Sequence, residues 1–284
     1  MKLNDPQWLD SQYDNRARVP DHGEYFSRWA AESAQVRKKF DAVLDIPYGD
    51  SPAERLDVFP AADGLLAPVL VFIHGGYWRS MDKADHSFIA PAFTQAGACV
   101  VVPNYGLCPA VTIAQIVMQM VRAVAWTWRH IAEHGGDPER IVVAGHSAGG
   151  HLAAMLLACN WPAFDPGLPP SLVARALSIS GLFDLEPFRH APSFQKVLRL
   201  TPEQVEQASP ARLPAPPAGT LFSLVGGRES MEFLRHNELI RQAWGRERVP
   251  VCEVLPRLNH FDVLDALVQP DQRLHRLARS LLET

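Results

Sequence analysis

Apolar residues fall into two rhythms along the chain. Short runs rich in valine, isoleucine and leucine occupy 55–59, 69–73, 99–102, 141–144, 176–180, 221–225 and 251–254. Most are apolar at consecutive positions, as in strands buried on both faces. Helical spacing between them predicts helices at about 84–96, 112–133, 148–158, 230–243 and 270–282. Gln115, Gln119 and Arg122 interrupt the apolar stretch 111–128 at steps of four and three. That is one polar stripe of an amphipathic helix, not a membrane span. The first 40 residues read as a helical arm. Asp5-Pro6 is an N-cap followed by proline at the first helical position. A second helix over about 23–39 puts Tyr25, Trp29, Val36 and Phe40 on one face, as core or lid packing.

Strands alternating with helices predict an α/β class, with a mainly parallel sheet covered by helices on both faces. Chemistry in such sheets sits at the carboxyl ends of the strands. The breaker-rich segments 162–170 and 213–219 read as loops, because periodic segments resume on each side. The expectation is one domain over 1–284, with residues 1–40 as an arm that could act as a lid.

Composition narrows the function. The 284 residues are 47% hydrophobic and 20% charged, ample for a core, and the net charge is −4. No basic field is available to hold nucleic acid. Four cysteines without metal or disulfide spacing, and no apolar leader at the N-terminus, predict a reduced, cytoplasmic chain with no membrane partner. A homodimer would be ordinary for such a chain.

The sharpest motif is Gly145-His146-Ser147-Ala148-Gly149, between a β-branched run and a helical stretch. This is the G-x-S-x-G nucleophile elbow in the strand–turn–helix context it needs. The two glycines relieve a turn too tight for side chains, and the turn lifts the Ser147 hydroxyl out at the strand end. A serine hydroxyl needs a base, and the base needs an orienting group. His260, in a loop after the last strand, is the candidate base. His236 falls mid-helix and His275 in the C-terminal helix, where both read as surface residues. Glu229, at the tip of the loop after 221–225, is the candidate acid. Glu232, Asp184 and Asp262 compete; Asp184 reads as a helix cap, and Asp262 would have to fold back on its own loop.

Acyl transfer also needs donors for the oxyanion. The Ala148 amide is one. The loop His74-Gly75-Gly76-Tyr77-Trp78 supplies the other, from Gly76 or Gly75. His74 reads as a residue that pins this loop. Tyr77 and Trp78 are candidates for an aromatic wall around substrate.

These residues resemble the α/β-hydrolases of the kynurenine formamidase (arylformamidase) family. The matching pieces are His74 to Trp78 with Asp82-Lys83, the elbow, Gly226 to Phe233, and Asn259-His260-Phe261, within a likeness spanning about 44–267. The resemblance implies an α/β-hydrolase fold. It further implies cofactor-free, metal-independent hydrolysis of N-formyl-kynurenine to kynurenine and formate, in tryptophan catabolism. The triad would be Ser147, Glu229 and His260. Glutamate at the acid position departs from the aspartate usual in such enzymes.

Three other readings stand beside this one. A short-chain carboxylesterase would use the same machinery with a different pocket. A non-catalytic binding module on a hydrolase scaffold would usually lack a triad member, and here all three slots carry usable chemistry. His130-Ile131-Ala132-Glu133-His134 matches a zinc-binding H-x-x-E-H pattern, but it lies at a helix end, where these side chains read as solvated.

Overall fold

The computed structural model describes residues 5–62 and 66–283; residues 1–4, the start of the expected arm, lie outside them. Eight strands form one sheet: β1 Val43–Pro47, β2 Arg55–Phe59, β3 Ala67–Ile73, β4 Cys99–Pro103, β5 Gly136–His146, β6 Arg175–Ile179, β7 Thr220–Gly226 and β8 Val251–Leu255. Their order is β1-β2-β4-β3-β5-β6-β7-β8. β2 pairs antiparallel with β1 and β4, and every later pairing is parallel. This is the mainly parallel sheet the sequence predicts, in an α/β-hydrolase fold.

The arm consists of α1 (Pro6–Tyr13), α2 (Asn15–Arg18) and α3 (His22–Lys39). The Asp5 side chain accepts from the Trp8 amide at 3.0 Å and Pro6 opens α1, the cap expected from Asp5-Pro6. Next come α4 (Ala90–Thr94), α5 (Ile113–His130) and α6 (Ala148–Leu157). Four short helices fill the β6 approach and the β6–β7 connection: α7 (Trp161–Phe164), α8 (Glu186–His190), α9 (Pro192–Leu198) and α10 (Pro202–Ala208). The chain ends with α11 (Met231–Arg248), α12 (Val263–Val268) and α13 (Arg273–Leu282).

Helices cover both faces of the sheet. Trp29 and Val36 of α3 share a core with Phe93 of α4, Leu264 of α12 and Leu277 of α13. Leu9 and Tyr13 of α1 join Ile116 of α5, Leu152 of α6 and Phe233 of α11 on the opposite face. Trp29 stacks on Phe88 at 5.7 Å, so the aromatic stripe of α3 does pack against the core.

Several boundaries differ from the periodic reading. The helix expected at 84–96 is two 3₁₀ turns and the short α4, where Pro91 in the first turn carries no amide donor. β1 shows no strand pattern in the sequence: it is an edge, and its residues alternate between exposed and half-buried. α8, α9 and α10 are five to seven residues each, too short to show a period. Gln119, expected on a polar stripe, is buried, and its Oε1 accepts from the Gly106 amide at 2.7 Å.

Candidate active site

Parallel pairing sets Ile73 of β3 opposite Gly145 of β5, so the loops leaving the two strands emerge side by side. Ser147 follows β5 directly and precedes α6. Its φ of 57° lies in the left-handed region, a strained conformation for a non-glycine residue. Its amide holds the turn by donating to the Ile179 carbonyl at 2.8 Å. A Cβ at Gly145 would strike the Gly149 carbonyl, as the elbow predicts. A Cβ at Gly149 would instead strike the Ile73 carbonyl, so the second glycine answers to the neighbouring strand as well as to the turn.

His260 and Glu229 meet directly, with Nδ1 2.6 Å from Oε2. Both side chains are buried. Glu229 is fixed through its other oxygen, which accepts from Ser180 Oγ at 2.6 Å and from the Gly226 amide at 2.7 Å. Sequence reasoning did not single out Ser180. It stands at the carboxyl end of β6 with φ 52°, and its one sequence signal is a small polar residue closing an apolar strand.

The competing carboxylates are engaged elsewhere. Glu232 accepts from Tyr13 Oη at 3.0 Å and pairs with Arg235. Asp184 accepts from the Glu186 amide at the start of α8 and pairs with Arg212. Asp262 does fold back, accepting from the Asn259 amide at 2.5 Å.

His236 and His275 are not surface residues: both are buried. His236 Nδ1 accepts from the Phe183 amide and its Nε2 lies 3.1 Å from Tyr13 Oη. His275 Nδ1 lies 2.8 Å from the Leu267 carbonyl. Each helix turns a histidine inward because a buried backbone or hydroxyl partner waits there.

His146 is also buried, and its Nε2 donates to the His260 carbonyl at 2.8 Å. Burial, with the neighbouring His260 second, holds the His146 pKa well below the usual value. It therefore acts as a neutral strut between elbow and base. Phe261, the residue after the base, packs edge-on against Phe26 of α3 at 5.2 Å. The arm thus buttresses the loop that carries His260.

The glycine loop is pinned from below. His74 is fully buried, stacks on Tyr105 at 4.2 Å, and lies 2.8 Å from the Gly75 carbonyl and 3.1 Å from Asn104 Oδ1. Burial pushes its pKa down to about 4, and its two ring nitrogens tie it to Gly75 and Asn104, as expected of a loop pin. The Tyr105 hydroxyl donates to the carbonyls of His74 and Gly75. Asn104 Nδ2 donates to Asp82 at 2.9 Å, and Lys83 Nζ bridges Asp45 and Asp57 at 2.6 and 2.7 Å. Asp82-Lys83 is therefore an anchor for the loop. Gly76 takes φ 102°, and a Cβ there would strike the Ser80 carbonyl. A Cβ on Gly75 would sit 3.1 Å from the Ser147 Cβ, which brings this backbone against the serine. Ala148 opens α6, where amides have no intrahelical acceptor.

Ser147, His260, Gly76 and Tyr77 line a cavity of about 570 Å³. Its remaining wall comes largely from the arm, including Tyr13, Asn15 and Trp29. Tyr77 is tied to the arm on both sides of its hydroxyl, which accepts from Asn15 Nδ2 at 2.9 Å and donates to the Tyr13 carbonyl at 2.8 Å. Trp78, expected beside Tyr77 as a substrate wall, is instead fully buried in the core. Its φ of 56° turns the ring inward, where Nε1 donates to His151 at 3.3 Å and the ring meets Phe188 edge-on.

His130 and Glu133 of the H-x-x-E-H segment pair at 3.3 Å on the exposed side, with His130 against the Trp126 ring. Among the described residues no group of three or more His, Cys, Asp or Glu is placed to hold a metal ion. No helix of the described residues is long and apolar enough to cross a membrane.

Comparison with known proteins extends this picture. A family model described as the alpha/beta hydrolase fold matches residues 70–216. Kynurenine formamidase of Danio rerio is 29% identical over 255 residues, covering 87% of this chain and 84% of that protein. Esterase LipQ of Mycobacterium tuberculosis is 36% identical over 149 residues, covering 50% of this chain and 35% of that one. The crystal structure of a Silicibacter protein assigned as a thioesterase superposes with a TM-score of 0.82 at 30% identity, covering 97% of this chain and 99% of that one.

Proposed function

The chain is a hydrolase of the α/β-hydrolase fold family, and from that premise we propose that Ser147, His260 and Glu229 form a nucleophile–base–acid triad. On this reading His260 Nε2 takes the proton of the Ser147 hydroxyl as the oxygen attacks a small acyl carbon. The amides of Gly76 and Ala148, with Gly75 beside them, receive the negative charge on the acyl oxygen. The Glu229 carboxylate steadies the imidazolium that forms. His260 then protonates the departing nitrogen or oxygen, and water releases the acyl group by the same route. The contact that carries this reading is His260 Nδ1 to Glu229 Oε2, in a cavity that Ser147 also lines.

Glutamate stands where aspartate is usual, and both of its oxygens are engaged. Oε1 is held by Ser180 and Gly226, which leaves Oε2 for the imidazole.

The substrate proposed is N-formyl-kynurenine, cleaved to kynurenine and formate in tryptophan catabolism. Support comes from the likeness to kynurenine formamidase over most of both chains. A formyl group needs almost no acyl pocket, so the cavity is left for the arylamine half, with Tyr77 in its wall. A reduced cytoplasmic setting goes with this proposal, and Cys99, Cys108, Cys159 and Cys252 are all free thiols.

A short-chain esterase is the second reading. The esterase likeness has the higher identity, 36%. The test is a panel of N-formyl-kynurenine and short nitrophenyl esters, with Ser147→Ala as control. Formamide turnover no better than that of the control, beside brisk ester turnover, would replace the first reading by the second. An intact protein that an organophosphate never labels at Ser147 would overturn both.

A further inference from the structure

Two guanidinium groups line the cavity and have no role in the chemistry above. Arg79 follows the glycine loop, and Arg16 comes from α2 of the arm. Each lies over an aromatic ring of the same cavity wall. Arg79 Cζ is 4.5 Å from the centroid of Phe194, and Arg16 Cζ is 5.5 Å from that of Phe26. A ring face orients a guanidinium without neutralising it. Arg79 Nη1 also donates to the Ser193 carbonyl at 2.7 Å, a neutral partner.

The cavity's two carboxylates are engaged otherwise. Asp10 Oδ1 accepts from the Ser193 amide and hydroxyl at 3.1 and 2.7 Å, and Asp14 Oδ1 caps the Ala17 amide at 2.9 Å. Among the described residues, neither Arg16 nor Arg79 is in an ion pair. Burial chiefly works against the charge of Arg79; Tyr77 and the Asp10 carboxylate favour it, and the like charge of Arg16 opposes it. A half-buried cation of this kind gains most from an anion brought to it.

We propose that Arg79, assisted by Arg16, binds a carboxylate on the departing half of the substrate. The enzyme would then favour acyl derivatives of carboxylate-bearing amines or alcohols over neutral ones. This rests on the serine-hydrolase reading, in which a one-carbon acyl group leaves the cavity to the departing half. N-formyl-kynurenine carries its carboxylate on that half.

The test compares kcat/KM within two matched pairs. One is N-formyl-kynurenine against 2′-formamidoacetophenone, the same arylformamide without the amino-acid group. The other is 3-acetoxybenzoate against phenyl acetate. The wild-type protein should favour the carboxylate-bearing member of each pair. Arg79→Gln should lower that preference ~10- to 100-fold, the size of one charge-assisted hydrogen-bonded contact. Arg79→Lys should restore part of it. Arg16→Gln, at an exposed position, should lower it by only a few-fold, and less so at high salt. A preference unmoved in Arg79→Gln, or absent from the wild-type protein, overturns the proposal. Should Arg79→Gln not fold, competitive inhibition of the wild-type protein by benzoate and benzamide reads the same preference, and equal inhibition overturns it. Loss of the formamide reading looks different: neither formamide would turn over, while the ester pair would still report on the arginines.

Discussion

Ser180 Oγ lies 2.6 Å from Glu229 Oε1, on the oxygen opposite the one that meets His260. The acid is thus held by β6 as well as by its own loop. Removing this hydroxyl leaves Oε1 held by the Gly226 amide alone. Ser180→Ala should lower kcat ~10-fold with little change in KM, the effect of one hydrogen bond to a charged group. Glu229→Gln should cost far more, on the order of 10³–10⁴ in kcat, because an amide can present the wrong donor to Nδ1 and cannot stabilise an imidazolium. Steady-state kinetics on the preferred substrate check both, and a Glu229→Gln protein with wild-type kcat would remove Glu229 from the triad.

Gly76 tests the oxyanion loop. Its φ of 102° and the Ser80 carbonyl beside it exclude a side chain. Gly76→Ala should destabilise the fold by roughly 1–3 kcal/mol from backbone strain alone and lower kcat at least ~100-fold by moving the amide. Thermal melts and kinetics on the same preparation separate the two effects. A well-folded variant with unchanged kcat would assign the oxyanion donor elsewhere.

Tyr77 tests the arm. Its hydroxyl is the middle of a chain from Asn15 Nδ2 to the Tyr13 carbonyl. Tyr77→Phe leaves both partners unsatisfied, at a cost of about 1–3 kcal/mol, or several degrees of Tm for a chain of this size. KM should rise, because the arm forms much of the cavity wall. Unchanged Tm and KM would mean the arm is held by its other contacts, among them the packing of Leu9 and Trp29 and the Tyr13–Glu232 hydrogen bond.

The parts legible in the sequence are those with a strong local cause. The elbow announces itself because Gly145 and Gly149 answer to a backbone too close for a Cβ. His260 is legible because a loop after the last strand of an alternating pattern opens at the carboxyl edge of the sheet, where the elbow serine also emerges. Glu229 is legible as a loop-tip carboxylate, but its support from Ser180 is not, since β6 and β7 become neighbours only through long-range pairing. Trp78 misleads for a different, local reason. Adjacent to Tyr77 in sequence, it is turned into the core by a left-handed backbone that no periodicity reveals. His236 and His275 mislead because a helical histidine is assigned outward by default, and only tertiary contacts supply the Phe183 amide and the Leu267 carbonyl.

The buried histidines set how the protein responds to acid. Burial pushes His74, His86 and His151 down to about 4, and holds His146 and His236 well below their usual value. In the unfolded chain each would titrate near ~6.5. Below that pH the unfolded state takes up protons that the folded state refuses. Stability is therefore fully present above about pH 6.5 and falls as the pH drops toward ~4, with each histidine adding up to ~1.4 kcal/mol per pH unit. Melting temperature measured from pH 7.5 to 4.5 should fall steeply through this window, ahead of any loss expected from carboxylates alone. His151→Gln, which can still donate to the Ala208 carbonyl, should flatten the curve by about one proton's share. A melting temperature that stays level down to pH 5 would mean that these imidazoles are protonated in the folded protein, and that His146 bears a charge beside His260 rather than acting as a neutral strut.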